Sequence, residues 1–146
     1  MFIPDTQFEK LWRKVVGIIK KWKPKQEYND EAKYRDDLLS FLKAEFRKNP
    51  IRNLAGMPVK TVILKEKGRD NVDIEINKNE IGIELKRNLK NKADADRTIG
   101  QIYRYRKEYK GVILVACGKT DNNTWEEIVD LLYNPPQGGY LRTIKK

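Results

Sequence analysis

The chain has 146 residues, 36% charged and 39% hydrophobic, enough for one domain with a real core and no need of covalent staples. Thirty-one Lys and Arg against 21 Asp and Glu give a net charge of +10, which suits a polyanionic partner, nucleic acid before a membrane surface. Histidine is absent and Cys117 is the single cysteine, so Ser-His-Asp and Cys-His catalysis, histidine- or cysteine-rich zinc sites and intrachain disulfides are all excluded. Chemistry, if any, must use carboxylates, lysine, tyrosine or a bound hard metal. The longest apolar run, "VILVAC", is far short of a membrane span, and neither a lipidation signal nor a signal peptide is read. An intracellular, cytoplasmic protein with no membrane contact is expected.

Phe8, Leu11, Trp12, Val15, Val16, Ile19 and Trp22 recur at helical spacing, which predicts an amphipathic helix over 5–22, ended by "KPK". Packing on the domain is the favoured role of this N-terminal extension (1–25), ahead of a dimerisation or DNA-gripping arm. A second helix is expected from Asp30 to Arg47, capped by Asp30 or Asn29 and striped by Tyr34, Leu38, Leu42 and Phe46. Glu31 falls on the core-facing side of its first turn, as a helix-dipole partner or as a site residue; Asp36 and Asp37 are weaker alternatives. "NPIRNLAGMP" reads as a loop, "VKTVILKEKG", "NVDIEIN" and "EIGIELK" as three strands, and 93–109 as a helix with Ile99, Ile102, Tyr103 and Tyr109 inward. "GVILVACG" is apolar throughout, as in a strand buried on both faces, with Cys117 inert in it. "TWEEIVDLLY" closes as a helix, with Thr124 or Asn123 as cap and Glu127 at capping-box distance. The tail, "NPPQGGYLRTIKK", reads as irregular. The order is α, α, β, β, β, α, β, α: one α/β domain over 1–146, with a core at 26–118 and a closing helix and tail at 119–146.

Within "DNVDIEINKNEIGIELKRN", Val72, Ile74 and Ile76 alternate with Asp73, Glu75 and Asn77; Ile81, Ile83 and Leu85 alternate with Gly82, Glu84 and Lys86. One face is wholly apolar, which restricts the register to pairings that keep Ile opposite Ile. A tight turn on Lys78 and Asn79, or a four-residue loop there, sets Ile76 opposite Ile81 and Asp73 opposite Glu84. Two carboxylates about 4 Å apart repel by about 4 kcal/mol at an effective dielectric near 20, so a cation is expected between them. Lys86 is one candidate. A hard divalent ion is the other, since Mg²⁺ takes one or two carboxylates, several waters and phosphate oxygens. Spacing alone leaves both readings open.

Asp73, ten intervening residues, then Glu84-Leu85-Lys86 resembles the D…(D/E)xK signature of the restriction-endonuclease-like, or PD-(D/E)xK, nucleases. Gln101 and Tyr105 in "QIYRY" resemble the QxxxY element of the RecB-like branch, and Glu31 corresponds to the extra acid many members carry on the first core helix. Val72 stands where the family usually has proline. The resemblance covers residues 30–117 and implies a core of order αβββαβ around a mixed four-stranded sheet, with additional N- and C-terminal helices here. It further implies hydrolysis of phosphodiesters in DNA, with RNA left open, supported by Mg²⁺ or Mn²⁺. Asp73 and Glu84 would hold the ion, with Glu31 and the Leu85 carbonyl as further ligands. Lys86 would orient the attacking water, and Gln101 and Tyr105 would hold Lys86, a water or a phosphate. Arg87, Lys90, Lys92, Arg97 and Arg104 are candidate phosphate contacts. No base-reading element is visible, so structure- or end-directed action is expected. Cutting both strands of a duplex would need two sites and hence a homodimer. The competing readings are an inactive nucleic-acid-binding module of the same fold and a Lys/Glu-rich scaffold with no site.

Overall fold

Apolar residues at three- and four-residue spacing build α1 (Gln7–Lys21), opened by Thr6, whose hydroxyl accepts from the Glu9 amide at 3.1 Å. The structure is a computed structural model that describes residues 6–134 and 139–146. The predicted start of the first helix at residue 5 therefore lies outside the described residues. α2 (Glu31–Lys48) begins as expected at Asp30, whose carboxylate accepts from the amides of Ala32 and Lys33, and it buries Tyr34, Leu38, Leu42 and Phe46. α1 packs beside α2 in one apolar cluster, which is the favoured role of the extension. Asp37 holds the connection between them: it accepts from Trp22 Nε1 at 3.0 Å, the Lys25 amide at 2.9 Å and the Tyr28 hydroxyl at 2.6 Å. Those donors hold its carboxyl below the usual range against the opposing effect of partial burial. Asp37→Ala is expected to cost about 2–3 kcal/mol in urea denaturation, the range for hydrogen bonds to a charged acceptor, with any nucleic-acid cleavage unchanged.

The stretch expected to be a loop instead pairs β1 (Ile51–Arg52) with β2 (Pro58–Val59), because Asn53 Oδ1 accepts from the amides of Ala55 and Met57 and shapes a tight turn. The predicted first strand is correspondingly shorter, β3 (Ile63–Lys67). It is followed by β4 (Val72–Ile76), β5 (Ile81–Arg87), α3 (Lys92–Glu108), β6 (Gly111–Cys117), α4 (Asn122–Tyr133) and β7 (Tyr140–Lys145). The cap of α4 is Asp121, not Thr124 or Asn123; its carboxylate accepts from both the amide and the hydroxyl of Thr124.

The main sheet is mixed and has five strands in the order β3-β4-β5-β6-β7, one more than the four expected. The extra strand is the tail, which lies parallel to β6 with Leu141 opposite Val112 and Ile144 opposite Val115. Its aromatic end is held from the other layer: the Tyr140 ring packs edge-on to Phe8 and Trp12 at 4.9 and 5.4 Å. The α3 and α4 crossovers make β5, β6 and β7 parallel, while β3, β4 and β5 are antiparallel neighbours. Ile74, Ile76, Ile81, Ile83 and Leu85 face α1 and α2; Val112, Leu114 and Ala116 face α3 and α4. β6 is buried on both faces, as its unbroken apolar run requires, and burial pushes the Cys117 thiol up to about 12. Among the described residues no helix is long and apolar enough to cross a membrane.

Candidate active site

The hairpin has the predicted register: Ile76 lies opposite Ile81 and Ile74 opposite Ile83, across a turn in which Asn77 and Asn79 take positive φ. Both asparagines tolerate the left-handed region far better than a branched residue would. The paired positions end at Ile74 and Ile83. Beyond that point the Leu85 amide, aimed at β4, donates to the side chain of Asp73 at 2.7 Å. The two strands thus separate where Asp73 and Glu84 stand, and a carboxylate takes a place in the ladder that a backbone carbonyl would otherwise fill.

The acid-bearing face is not open to solvent, as a half-buried hairpin would have it. α3 covers it, and Glu84 and Glu75 are 4% and 7% exposed. Each receives one phenol from α3: Tyr105 donates to Glu84 Oε1 at 3.1 Å and Tyr109 to Glu75 Oε2 at 2.6 Å. Tyr105 and Tyr109 are four residues apart and share a helix face, so one rigid element caps acids on two adjacent strands. Tyr103, expected inward, is 39% exposed, because the inward stripe runs through Ala95, Thr98, Ile99, Ile102, Tyr105 and Tyr109. Gly82 makes this packing possible: a Cβ there would stand 2.8 Å from the Tyr109 ring. Tyr109→Phe, which leaves the buried Glu75 carboxylate without its donor, should cost about 1–3 kcal/mol in chemical denaturation.

Asp73 and Glu84 are in side-chain contact. Burial, and then the Glu84 charge, push the Asp73 carboxyl up to about 7, against the opposing pull of the Leu85 amide and Lys86. Lys86 Nζ lies 3.1 Å from Glu84 Oε2. Tyr105 is likewise held above the ordinary phenol range by burial and the Glu84 charge, so it stays a donor. Glu31 stands at the solvent-exposed rim; partial burial raises its carboxyl, Asp73 adds to this, and Lys86 and the Arg87 amide oppose it. Of the three helix acids, then, Glu31 is the one the fold brings to the pair. Asp36 sits at the surface with Arg35 and Lys65, and Asp37 belongs to the α1–α2 connection.

Sequence reasoning missed Arg35, one turn after Glu31. Its buried guanidinium bonds Glu66 at 2.7 Å and Asp36 at 3.1 Å, and its charge reaches Asp73. A cation four residues after a candidate acid was the available signal. The Tyr109–Glu75 pair was missed too, although the repeat of tyrosine four residues after Tyr105 was in plain view.

Beside the pair lies a cleft of about 410 Å³, lined by Glu31, Lys86, Gln101 and three of the predicted phosphate contacts, Arg87, Arg97 and Arg104. Lys90 and Lys92 are not part of it. Lys92 faces Asp96 and Glu127 at 3.6 and 3.8 Å. Asp94 and Asp96 also line the cleft, and Arg97 is paired with Asp94 at 2.7 Å. Arg87 is tethered through Nε to the Tyr28 carbonyl. Gln101 Oε1 is buried without a hydrogen-bond partner among the described residues, and the Tyr105 hydroxyl donates to Glu84.

Among the described residues no three His, Cys, Asp or Glu side chains form a ready-made metal cage. The carboxylate pair nevertheless fits a hard divalent ion. Two acids in contact share a single close ammonium, and Mg²⁺ needs only one or two protein carboxylates when water and phosphate complete its shell. Comparison with family models, curated proteins and solved structures returned no match for this chain.

Proposed function

We propose that this chain is a divalent-metal-dependent nuclease with a restriction-endonuclease-like core, hydrolysing phosphodiester bonds of DNA at distorted structures or ends. The observation that carries the reading is the contact between Asp73 and Glu84 where β4 and β5 part, with Lys86 3.1 Å from one of them and a polar cleft alongside. Mutual repulsion at a place so poor in water is a cost that a structural hairpin face would shed and an ion-binding site would keep.

Asp73 and Glu84 would hold Mg²⁺ or Mn²⁺, with Glu31 and the Leu85 carbonyl as the further ligands nearest to hand. Such an ion, when bound, polarises the scissile phosphate, acidifies water and stabilises the leaving oxygen. The Leu85 amide fixes the rotamer of Asp73, and Tyr105 fixes that of Glu84, so the acids are oriented before an ion arrives. Lys86 exchanges its contact with Glu84 for the attacking water, orients it, and offsets the negative charge that builds up on the phosphate. Arg87, Arg97 and Arg104 supply positive charge for the flanking backbone from the cleft wall.

The test is incubation with branched, duplex and single-stranded DNA, with and without Mn²⁺. Cleavage that requires Mn²⁺ and stops in EDTA supports the proposal. Cleavage indifferent to EDTA, or salt-sensitive binding with no cleavage of any substrate, overturns it, and the latter is the outcome the inactive-module reading expects.

A further inference from the structure

Gly100 sits in the middle of α3, where glycine weakens a helix and needs a reason. Packing does not provide one: a Cβ built there would meet only Arg104 Nη1, at 3.8 Å. This differs from Gly82, whose Cβ would collide with Tyr109. Gly100 lines the cleft instead, next to Gln101, whose buried carbonyl oxygen has no donor. A bare helix backbone at the cleft wall lets a ligand backbone approach closely.

The neighbouring positions fit one kind of ligand. Arg104 lines the same cleft and has no ion pair among the described residues. Tyr103, three residues from Gly100 and next to Arg104, is 39% exposed, and Lys107, also exposed, continues the stripe one turn further. Bare backbone, exposed aromatic ring and two cations along one helix stripe match a phosphate chain whose unpaired base stacks on the ring. A closed duplex offers no free base face.

We infer that the stripe of α3 formed by Gly100 and Arg104 in the cleft wall and Tyr103 on the exposed helix surface beside them seats a single strand of nucleic acid, with Tyr103 as the stacking platform and Gly100 as the point of closest backbone approach. The inference rests on the nuclease reading only for its purpose, since it concerns binding. Substrates would then be single strands, or duplexes with a frayed or branched segment that delivers one to the site.

Binding of a fluorescent twelve-nucleotide oligothymidylate and of a blunt duplex of equal length, measured by anisotropy in EDTA, tests it without any cleavage. The parent chain should prefer the single strand. Tyr103→Ala should weaken oligothymidylate binding by about tenfold and duplex binding by less than about twofold, with Tyr103→Trp restoring it. Gly100→Ala should raise the melting temperature yet weaken single-strand binding, a combination that a purely structural glycine does not produce. Equal affinity for strand and duplex, or a Tyr103→Ala variant that binds oligothymidylate like the parent, overturns the inference. Mn²⁺-dependent cleavage is scored separately: strand preference without cleavage removes the nuclease reading and leaves this one standing, and cleavage without strand preference does the reverse.

Discussion

Glu84→Gln is expected to lower Mn²⁺-dependent DNA cleavage by roughly a thousandfold while the protein remains folded. The amide keeps the size of the carboxylate and can still accept from Tyr105, so the buried contact at 3.1 Å survives. What is lost is half of the negative charge that would bind the ion, together with the ion pair to Lys86. Lys86→Met should also abolish cleavage, but for a different reason: metal affinity is retained or raised, because a competing ammonium has gone. Isothermal titration with Mn²⁺ alongside a cleavage assay separates the two variants. If both cut at the parental rate, the carboxylate pair is not the reaction centre.

The second large effect is a dependence of stability on pH that divalent ions reverse. Asp73 has its carboxyl pushed up to about 7 from an ordinary 3.8. Between those values the folded chain keeps a proton that the unfolded chain has released, so stability falls as pH rises through the window. The stabilisation relative to the fully ionised pair is complete below about pH 4 and gone above about pH 7. A shift of that size in a largely buried group amounts to a few kcal/mol at most, on the order of ten degrees in melting temperature for a chain of this length. Mg²⁺ or Mn²⁺ should do little at pH 5, where it must displace the shared proton, and should raise the melting temperature by several degrees at pH 8. Asp73→Asn should flatten both the pH profile and the response to the ion. Differential scanning calorimetry at pH 5, 6, 7 and 8 reads all of this; a profile that rises over that range, with no response to the ion, counts against the paired-acid site.

Much of this was legible in the sequence because the hairpin is local. Alternating isoleucines on both sides of a short polar turn allow few registers, and the register found, Ile76 opposite Ile81, is the one that alternation selects. The cap of α2 and the buried β6 are similarly written in nearby residues. The tail failed as a reading for the opposite reason. β7 is an edge strand whose partner, β6, lies a whole helix earlier, and its Leu141, Thr143 and Ile144 show no clean two-residue alternation. Asp121 caps α4 from outside the apolar stripe that marks the helix, so the stripe alone does not point to it. At the site, Asp73, Glu84 and Lys86 could be placed together from spacing, whereas the burial of Glu84 and Glu75 could not. That burial depends on how α3 lies across the sheet, and Tyr103, Tyr105 and Tyr109 give competing hydrophobic stripes until the helix is docked.

The two phenols that α3 lends to Glu84 and Glu75 also fix where that helix can rest. Sliding it by one turn in either direction would take a phenol from at least one of the two buried carboxylates, so the helix is indexed to the strands by two polar notches as well as by its apolar stripe. The width of the neighbouring groove, and the position of everything α3 presents along its rim, is inherited from that indexing. A tyrosine remote from any bond that breaks can therefore set the spacing of the parts that would break it.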